Sequence, residues 1–412
     1  MMPEPMVIDG CRTPFLRAGT GFRDAMSYQL ASSAIGGLLR RTELDPGAVD
    51  QVILGATVSN PRTTNVAREA ALDAGLPSNV PAFTVTAAGA SATTAIDLAA
   101  DAIRLGRTEA VIAGGTDCIS DPPIGYRRGM RKKLFAARRL RGLWPTVRFL
   151  ASLRPWDFLP DRIDVTEFST GLTMGEYTEG LARRLGIDRE AQDAYAAESH
   201  RRAAAARTHL AEEIVGVDLP DLGIAESTDN GVRGDTSVEV LATLKPSFDR
   251  DGTLTAGNSS FLTDGASVVL LTSEAFAQRH GLRPKARLRT SVLTAHDPRD
   301  ELLLGPVHAT PRALASMELG LDAIDVFEIH EAFAAQILAV LQLMDEAGQT
   351  RIPRERLNAW GGSLALGNPF APNGARLLTT AVHRLHVEDG HWGLVATCAG
   401  GALGQAMVLE RV

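Results

Sequence analysis

The chain has 412 residues, of which 45% are hydrophobic and 22% charged, with a formal net charge of −7. This is the mix of an ordinary globular protein long enough for two or three domains, and the acidic balance argues against a nucleic-acid partner. No apolar run reaches the ~18–20 residues of a membrane span, the opening MMPEPMVIDG lacks a basic and apolar leader, and Cys11, Cys118 and Cys398 make no disulfide framework, so a reducing, cytoplasmic setting is expected.

VIDG at 7–10 reads as a first strand, Tyr28–Arg40 has helical spacing, and VDQVILGATV at 49–58 reads as a strand. Asn65–Ala74 reads as a helix stopped by Gly75. A strand at Ala82–Thr86 leads into TVTAAGASATTA (84–95), a corner marked by Gly89. It opens a small-residue helix from about Ala90 to Leu105, closed by Gly106, and AVIAGGTD (110–117) is the next strand. Strands alternating with helices argue for an α/β fold with a largely parallel sheet.

Residues from about 121 to 250 interrupt this pattern. The stretch 124–150 holds nine Lys/Arg and no acid. Three readings stand side by side: a solvated helix face, a clamp for an anionic ligand, or a contact with a membrane surface. Met174–Leu185 and Asp188–His209 read as amphipathic helices, the second polar enough for the surface. In the last third, DVFEIH (325–330) reads as a strand and EAFAAQILAVLQLMDEAG (331–348) as a helix. WGGSLALGNPFAPNGARLL (360–378) reads as a Gly-rich loop entering a helix, and HWGLVATCAGGALGQAMVLERV (391–412) as two strands around a GG turn. GLVATCAGG and EAVIAGG are alike, which suggests two related halves.

RTPF (12–15), AGGTD (113–117), EFSTGLTMG (167–175), LKPSFDRDGTLTAGNSSFLTDGAS (244–267), HEAFAAQIL (330–338), GGSLALG (361–367) and CAGG (398–401) together resemble the thiolase superfamily. Within it they look like the β-subunits of trifunctional fatty-acid oxidation complexes. The resemblance spans nearly the whole chain. It implies two layered α/β/α halves of five strands each with an inserted, mainly helical loop domain. The boundaries would be 1–123 together with about 250–275, then 124–249, then 276–412. It further implies a homodimer or larger assembly, or a hetero-oligomer with another fatty-acid or thiolase-family subunit. The substrate would be a coenzyme A thioester, with no bound cofactor and no metal.

The resemblance also implies a site. The family's nucleophilic cysteine, favoured as thiolate at a helix N-terminus, falls on Gly89, which has no side chain. The histidine of its Gly-His-Pro motif falls on Asn368, whose amide donates a hydrogen bond but takes no proton from a thiol. FAPNG (370–374) stands where FGATG is usual. His330 matches the oxyanion-binding residue of HEAF, and Cys398 the acid/base at the substrate α-carbon. The backbone N–H groups of Gly89 and Gly400 match a second oxyanion pocket. Ser260, Met174, Ala332 and Phe333 match positions along the pantetheine passage.

Plainer readings stand beside each role. Cys398 suits a small buried hydrophobe, His330 a satisfied core histidine, and Asn368 a loop-holding amide. Ser91 reads as a helix cap, and Cys11 and Cys118 as structural. Three functions follow: an enzyme making or breaking a C–C bond beside a thioester through an enolate without an acyl-enzyme, a non-catalytic acyl-CoA-binding subunit, or an ordinary acetyl-CoA C-acyltransferase.

Overall fold

Every residue of Pro5–Arg12 (β1) is buried, so this first strand needs neighbours on both edges and cover on both faces. The structure, a computed structural model, describes residues 3–161, 166–348 and 351–412 and supplies both. The remaining strands are β2 (Leu16–Arg17), β3 (Gln51–Gly55), β4 (Ala82–Val85), β5 (Ala110–Asp117), β6 (Val217–Leu219), β7 (Ile224–Glu226), β8 (Thr263–Ser273), β9 (Ala286–Ala295), β10 (Val326–Ile329), β11 (Trp392–Ala399) and β12 (Leu403–Arg411). One ten-stranded sheet runs β10-β11-β12-β9-β1-β8-β5-β3-β4, with β2 paired to β8 off this path, and β6 pairs with β7 apart from it.

The sheet corrects two expectations. It is mixed rather than largely parallel: β10–β11, β3–β4 and β3–β5 are parallel, and every other pair is antiparallel. β12 returns from β11 through the tight turn at 400–402, and a connection that short can only join antiparallel strands. Nor are there two separate five-stranded sheets. The C-terminal part contributes four strands, β9 to β12, and a short β1–β9 ladder (Met6↔Arg287, Val7↔Ala286) joins it to the N-terminal strands.

Two helices, Ser91–Arg104 and Asn373–Val387, lie side by side against strands of both parts. Ile96, Ala99, Ile103, Leu377, Leu378 and Leu385 share one core with Val7, Ile53 and Val269 and with Val326, Val395 and Met407. Each large aliphatic side chain buried this way contributes about 1.5–3 kcal/mol. The helices touch at their N-terminal ends, where a Cβ on Gly374 would lie 2.9 Å from the Thr93 amide nitrogen. The opposite face is covered by helix Ser27–Thr42 over the N-terminal strands and by Gly305–Ala315 over the C-terminal ones. The result is a layered α/β/α arrangement.

Between β5 and β8 the chain is mainly helical. Arg128–Ala137 and Leu143–Ala151 pack on each other, and among their residues only Met130 is buried. Met174–Leu185 begins in a capping box, in which Glu176 N–H donates to Thr173 Oγ1 (3.2 Å) and Thr173 N–H to Glu176 Oε2 (2.8 Å). It packs against helix Ala334–Glu346. The expected surface helix at 188–209 is corrected on two counts. It breaks at Ala206 into Arg189–Ala205 and Arg207–Glu212, and its first part buries Gln192, Asp193, Tyr195, Ser199 and His200. Polar side chains tolerate this where they find partners. Tyr195 Oη and Ser199 Oγ donate to the Glu331 carboxylate at 3.0 and 2.9 Å, and Asn258 Nδ2 donates to Asp193 at 2.9 Å. Among the described residues no helix is long and apolar enough to cross a membrane.

Candidate active site

The corner between β4 and helix Ser91–Arg104 is held in a strained form. Ala88 has φ +48°, a left-handed conformation costing a non-glycine residue about 1–2 kcal/mol. Three hydrogen bonds maintain it. Ala88 O accepts from Thr57 Oγ1 (3.0 Å) and Ser91 Oγ (2.6 Å), while Ser91 Oγ accepts from the Ala87 N–H (2.8 Å). The Ser91 hydroxyl is therefore committed to the backbone and is not a free nucleophile. Gly89 itself is not left-handed, so nothing in its own dihedrals requires glycine. A Cβ there would lie 3.1 Å from the Cys398 carbonyl oxygen and 3.7 Å from Ala399.

Cys398 is near the end of β11, paired with Gly404. Its side chain is buried in the apolar cluster that also contains Ala332, Phe333 and Ala402, and burial pushes the thiol up to about 12. A Cβ on Gly400 would lie 3.4 Å from Met174 Cε and 3.6 Å from Ala88 Cβ. The next amide, Gly401 N–H, donates to Glu167 Oε2 at 2.7 Å. The strained corner, the β11–β12 turn and the head of the Met174 helix thus converge. Among the described residues neither the Gly89 nor the Gly400 N–H finds a protein acceptor, which leaves two backbone donors free for an anionic oxygen.

His330 follows β10, beside β11: Ile329 pairs with Ala396, and His330 N–H donates to Ala396 O at 2.9 Å. Its Nδ1 lies 3.0 Å from Ser363 Oγ, which also accepts from Arg376 Nη2 at 3.0 Å. A guanidinium only donates. Among the described residues the serine proton meets no acceptor other than His330 Nδ1, so it goes there, and the imidazole carries its own proton on Nε2. Burial, with the Arg376 charge second, pushes His330 down to about 3, so it is a neutral N–H donor at ordinary pH.

Asn368 opens the loop into helix Asn373–Val387. Its Oδ1 accepts from the Phe370 N–H (3.0 Å) and Asn373 Nδ2 (2.6 Å), and its Nδ2 donates to Ser260 Oγ (3.2 Å). One amide hydrogen is left over. Ser260 N–H donates to Ala332 O (3.0 Å), Ser259 pairs with Phe333, and the Phe333 ring meets Phe248 edge-on at 5.8 Å.

The expected residues therefore fall into two groups, Gly89–Cys398–Gly400–Met174 and Asn368–Ser260–Ala332–Phe333. His330 stands beside β11 two residues before Cys398. Cys11 and Cys118 lie elsewhere, each thiol against a backbone carbonyl, Ala34 O at 3.3 Å and Ala25 O at 3.2 Å, and burial raises both.

Several supports escaped the sequence reading. Ser363 and Arg376 sit inside quoted motifs, but nothing in their type marks them as the pair that orients His330. Glu331 accepts from Tyr195, Ser199, Asn358 and the Leu364 N–H, pinning the His330–Ala332 turn to the inserted helix. The carboxylate inside the HEAF motif was the one available signal.

Comparison with known proteins follows the same outline. Residues 5–275 match the family description "Thiolase, N-terminal domain" and residues 282–411 match "Thiolase, C-terminal domain". Trifunctional enzyme subunit beta, mitochondrial, of Bos taurus is 43% identical across 98% of this chain and 88% of that protein. A 3-ketoacyl-CoA thiolase of Salmonella typhimurium is 40% identical across 98% of this chain and 96% of its own length. The crystal structure of a Bacillus anthracis acetyl-CoA acetyltransferase superposes with a TM-score of 0.88 at 31% identity, covering 100% of this chain and 99% of that one. Matched end to end by both halves of the family description, and by relatives well above 30% identity, the chain belongs to the thiolase family.

Proposed function

We propose that this chain binds an acyl-coenzyme A thioester and makes or breaks the C–C bond next to its carbonyl through an enolate, without holding the acyl group on a cysteine. One observation carries the reading: at residue 89 the helix head presents backbone alone, against the carbonyl of a retained Cys398. By the family pattern Gly89 replaces the nucleophile and Asn368 its activating histidine. Relatives named 3-ketoacyl-CoA thiolase support the substrate class. In this reading 124–249 is a loop domain between halves formed by 1–123 with about 250–275 and by 276–412, and the protein works in the cytoplasm as a homodimer or larger assembly.

The thiol, pushed up to about 12, rests protonated at neutral pH, so in the cleavage direction Cys398 stands ready as the proton donor. In a retro-aldol step the β-hydroxyl proton leaves to water as the Cα–Cβ electrons pass to the thioester oxygen. His330 Nε2–H, the spare Asn368 N–H and the two free backbone N–H groups are the donors available to that oxygen, and one such donor is typically worth ~3–4 kcal/mol. Cys398 then protonates the α-carbon, and its thiolate regains from water the proton that the β-hydroxyl released. Incubation with 3-hydroxyacyl-CoA thioesters in deuterated buffer tests this. The expected result is deuterium at the α-carbon with the native chain and loss of that exchange in Cys398→Ala. No exchange, with both proteins alike, counts against the reading.

A second reading is a non-catalytic subunit. It is favoured by the full engagement of the Asn368 oxygen and by relatives named trifunctional enzyme subunit beta. Tight co-purification with a cysteine-bearing thiolase homologue supports it, and a homodimer with its own turnover removes it. An ordinary acyltransferase requires a trapped acyl group during 3-ketoacyl-CoA thiolysis, which mass spectrometry detects.

A further inference from the structure

We propose that His296, Glu301 and His308 form a binding site for a divalent transition-metal ion of the Zn2+, Co2+ or Ni2+ class, in the C-terminal half, where the His296 backbone N–H donates to Ala402 O of the β11–β12 turn (3.0 Å). The three come from the end of β9, the following loop and the first turn of helix Gly305–Ala315, and their donor atoms all lie within 4.8 Å of one another. His296 Nδ1 is 3.8 Å from Glu301 Oε2, and His308 Nε2 is 3.0 Å from Glu301 Oε1. Metal bonds of 2.0–2.1 Å in a tetrahedral site put donors about 3.4 Å apart, and these two distances bracket that value.

The hydrogen bonding around His296 leaves a lone pair aimed at the carboxylate. Thr294 Oγ1 donates to Gly404 O (3.1 Å), so towards His296 Nε2, at 3.0 Å, it accepts. The imidazole proton is therefore on Nε2, and the bare Nδ1 faces Glu301 with no donor between two acceptors. A cation resolves that opposition. The Thr294 contact is also the outer hydrogen bond that orients metal-binding histidines. Two imidazoles and one carboxylate select a borderline ion over Mg2+ or Ca2+ and leave a coordination position for water.

Two features limit the affinity. The imidazoles stack at 3.8 Å with a 23° interplanar angle, so His308, which is partly exposed, must turn out of the stack for its lone pair to converge with that of His296. Arg312, one helical turn beyond His308, adds an opposing charge. The site has a consequence for the pocket. The same loop carries Asp300, whose carbonyl accepts from Tyr177 Oη (2.6 Å) and Arg184 Nη2 (2.9 Å). Both belong to the helix that begins at Met174, so a bound ion would tie that helix more firmly to the C-terminal half.

The test is Co2+ titration of the untagged, chelator-treated full chain, followed by its visible absorption bands and by displacement with Zn2+. The expected result is one ion per chain, binding weakened at least about tenfold in each of His296→Gln, Glu301→Gln and His308→Ala (1.4 kcal/mol), and unchanged in His391→Ala, an exposed control. Zn2+ should raise the unfolding temperature of the native chain and not of His308→Ala. Absence of cobalt bands at millimolar metal, or binding that persists in all three variants, overturns the proposal.

Discussion

A side chain at residue 89 meets one obstacle, the Cys398 carbonyl 3.1 Å from its Cβ, which must yield by a few tenths of an ångström. Gly89→Cys should therefore fold. Asn368→His has a wider cost, because Asn368 holds Asn373 Nδ2, and the Asn373 oxygen is already buried without a partner. A cysteine without a base is mostly protonated at neutral pH. The pair Gly89→Cys with Asn368→His is thus expected to thiolyse a 3-ketoacyl-CoA about tenfold or more faster than either single variant, a gap of 1.4 kcal/mol in barrier. Substrate consumption and the mass of a trapped acyl group check it. Equal recovery by Gly89→Cys alone would show that the histidine position is dispensable. The residue types at 89 and 368 were legible in the sequence because they sit inside long motifs. The hydrogen-bond partners that decide what replacement costs, Asn373, Ser260 and the Cys398 carbonyl, come from separate segments and were not.

At the scale of elements, the two helices Arg128–Ala137 and Leu143–Ala151 are unusual for what they leave outside. Phe135 is 69%, Leu143 79% and Trp144 83% exposed, interleaved with the basic side chains of 124–150. Apolar anchors among cations suit a surface that is both anionic and apolar, as at a phospholipid headgroup boundary, more than a solvated face. The chain is expected to sediment with vesicles containing anionic lipid and not with neutral ones. Phe135→Ser with Trp144→Ser should weaken that binding by about tenfold or more, because each buried aromatic is worth over ~1.4 kcal/mol. Equal recovery of both proteins in the supernatant would leave the solvated-face reading standing. Charge in this segment was plain from composition, but the exposure of its aromatics was not. Helix Arg189–Ala205 shows the opposite failure: its polar pattern suggests surface, yet Glu331 and Asn258 from distant segments satisfy it in the interior.

Across the whole molecule, buried titratable groups oppose one another. Burial pushes His200 down to about 4 and His330 to about 3, from 6.5. As pH falls below 6.5 the unfolded chain takes up protons that the folded chain refuses, so each histidine costs stability on acidification. Asp117 and Glu328 are raised by burial to about 7, from 3.8 and 4.5. The folded chain keeps their protons where the unfolded chain has released them, so their contribution is present at low pH and lost as pH rises towards 7. Between about pH 4.5 and 6.5 two terms of each sign act against each other. His200→Gln should disturb that balance. Whatever its fixed packing cost, the variant should gain on the native protein as pH falls from 6.5 towards 4, by up to about 1.4 kcal/mol per pH unit. Denaturant midpoints measured across that range check it, and a constant difference would mean that His200 titrates alike in both states.

Local patterning by itself determined most of the strands and helices of residues 7–117 and 325–412, the helical excursion between them, and the small-residue corner at Gly89, because apolar spacing and turn residues act over a few positions; it left β8, β9 and helix Gly305–Ala315 unread. Motif resemblance pointed to family and site. Tertiary structure decided what depends on segments far apart in the chain: the mixed direction of the sheet, the Ser363–Arg376 pair that sets the His330 proton, the burial that raises the Cys398 thiol, and the meeting of His296, Glu301 and His308. A hydrogen bond or a desolvation penalty is a property of neighbours in space, and the neighbours at this site come from six separate stretches of chain.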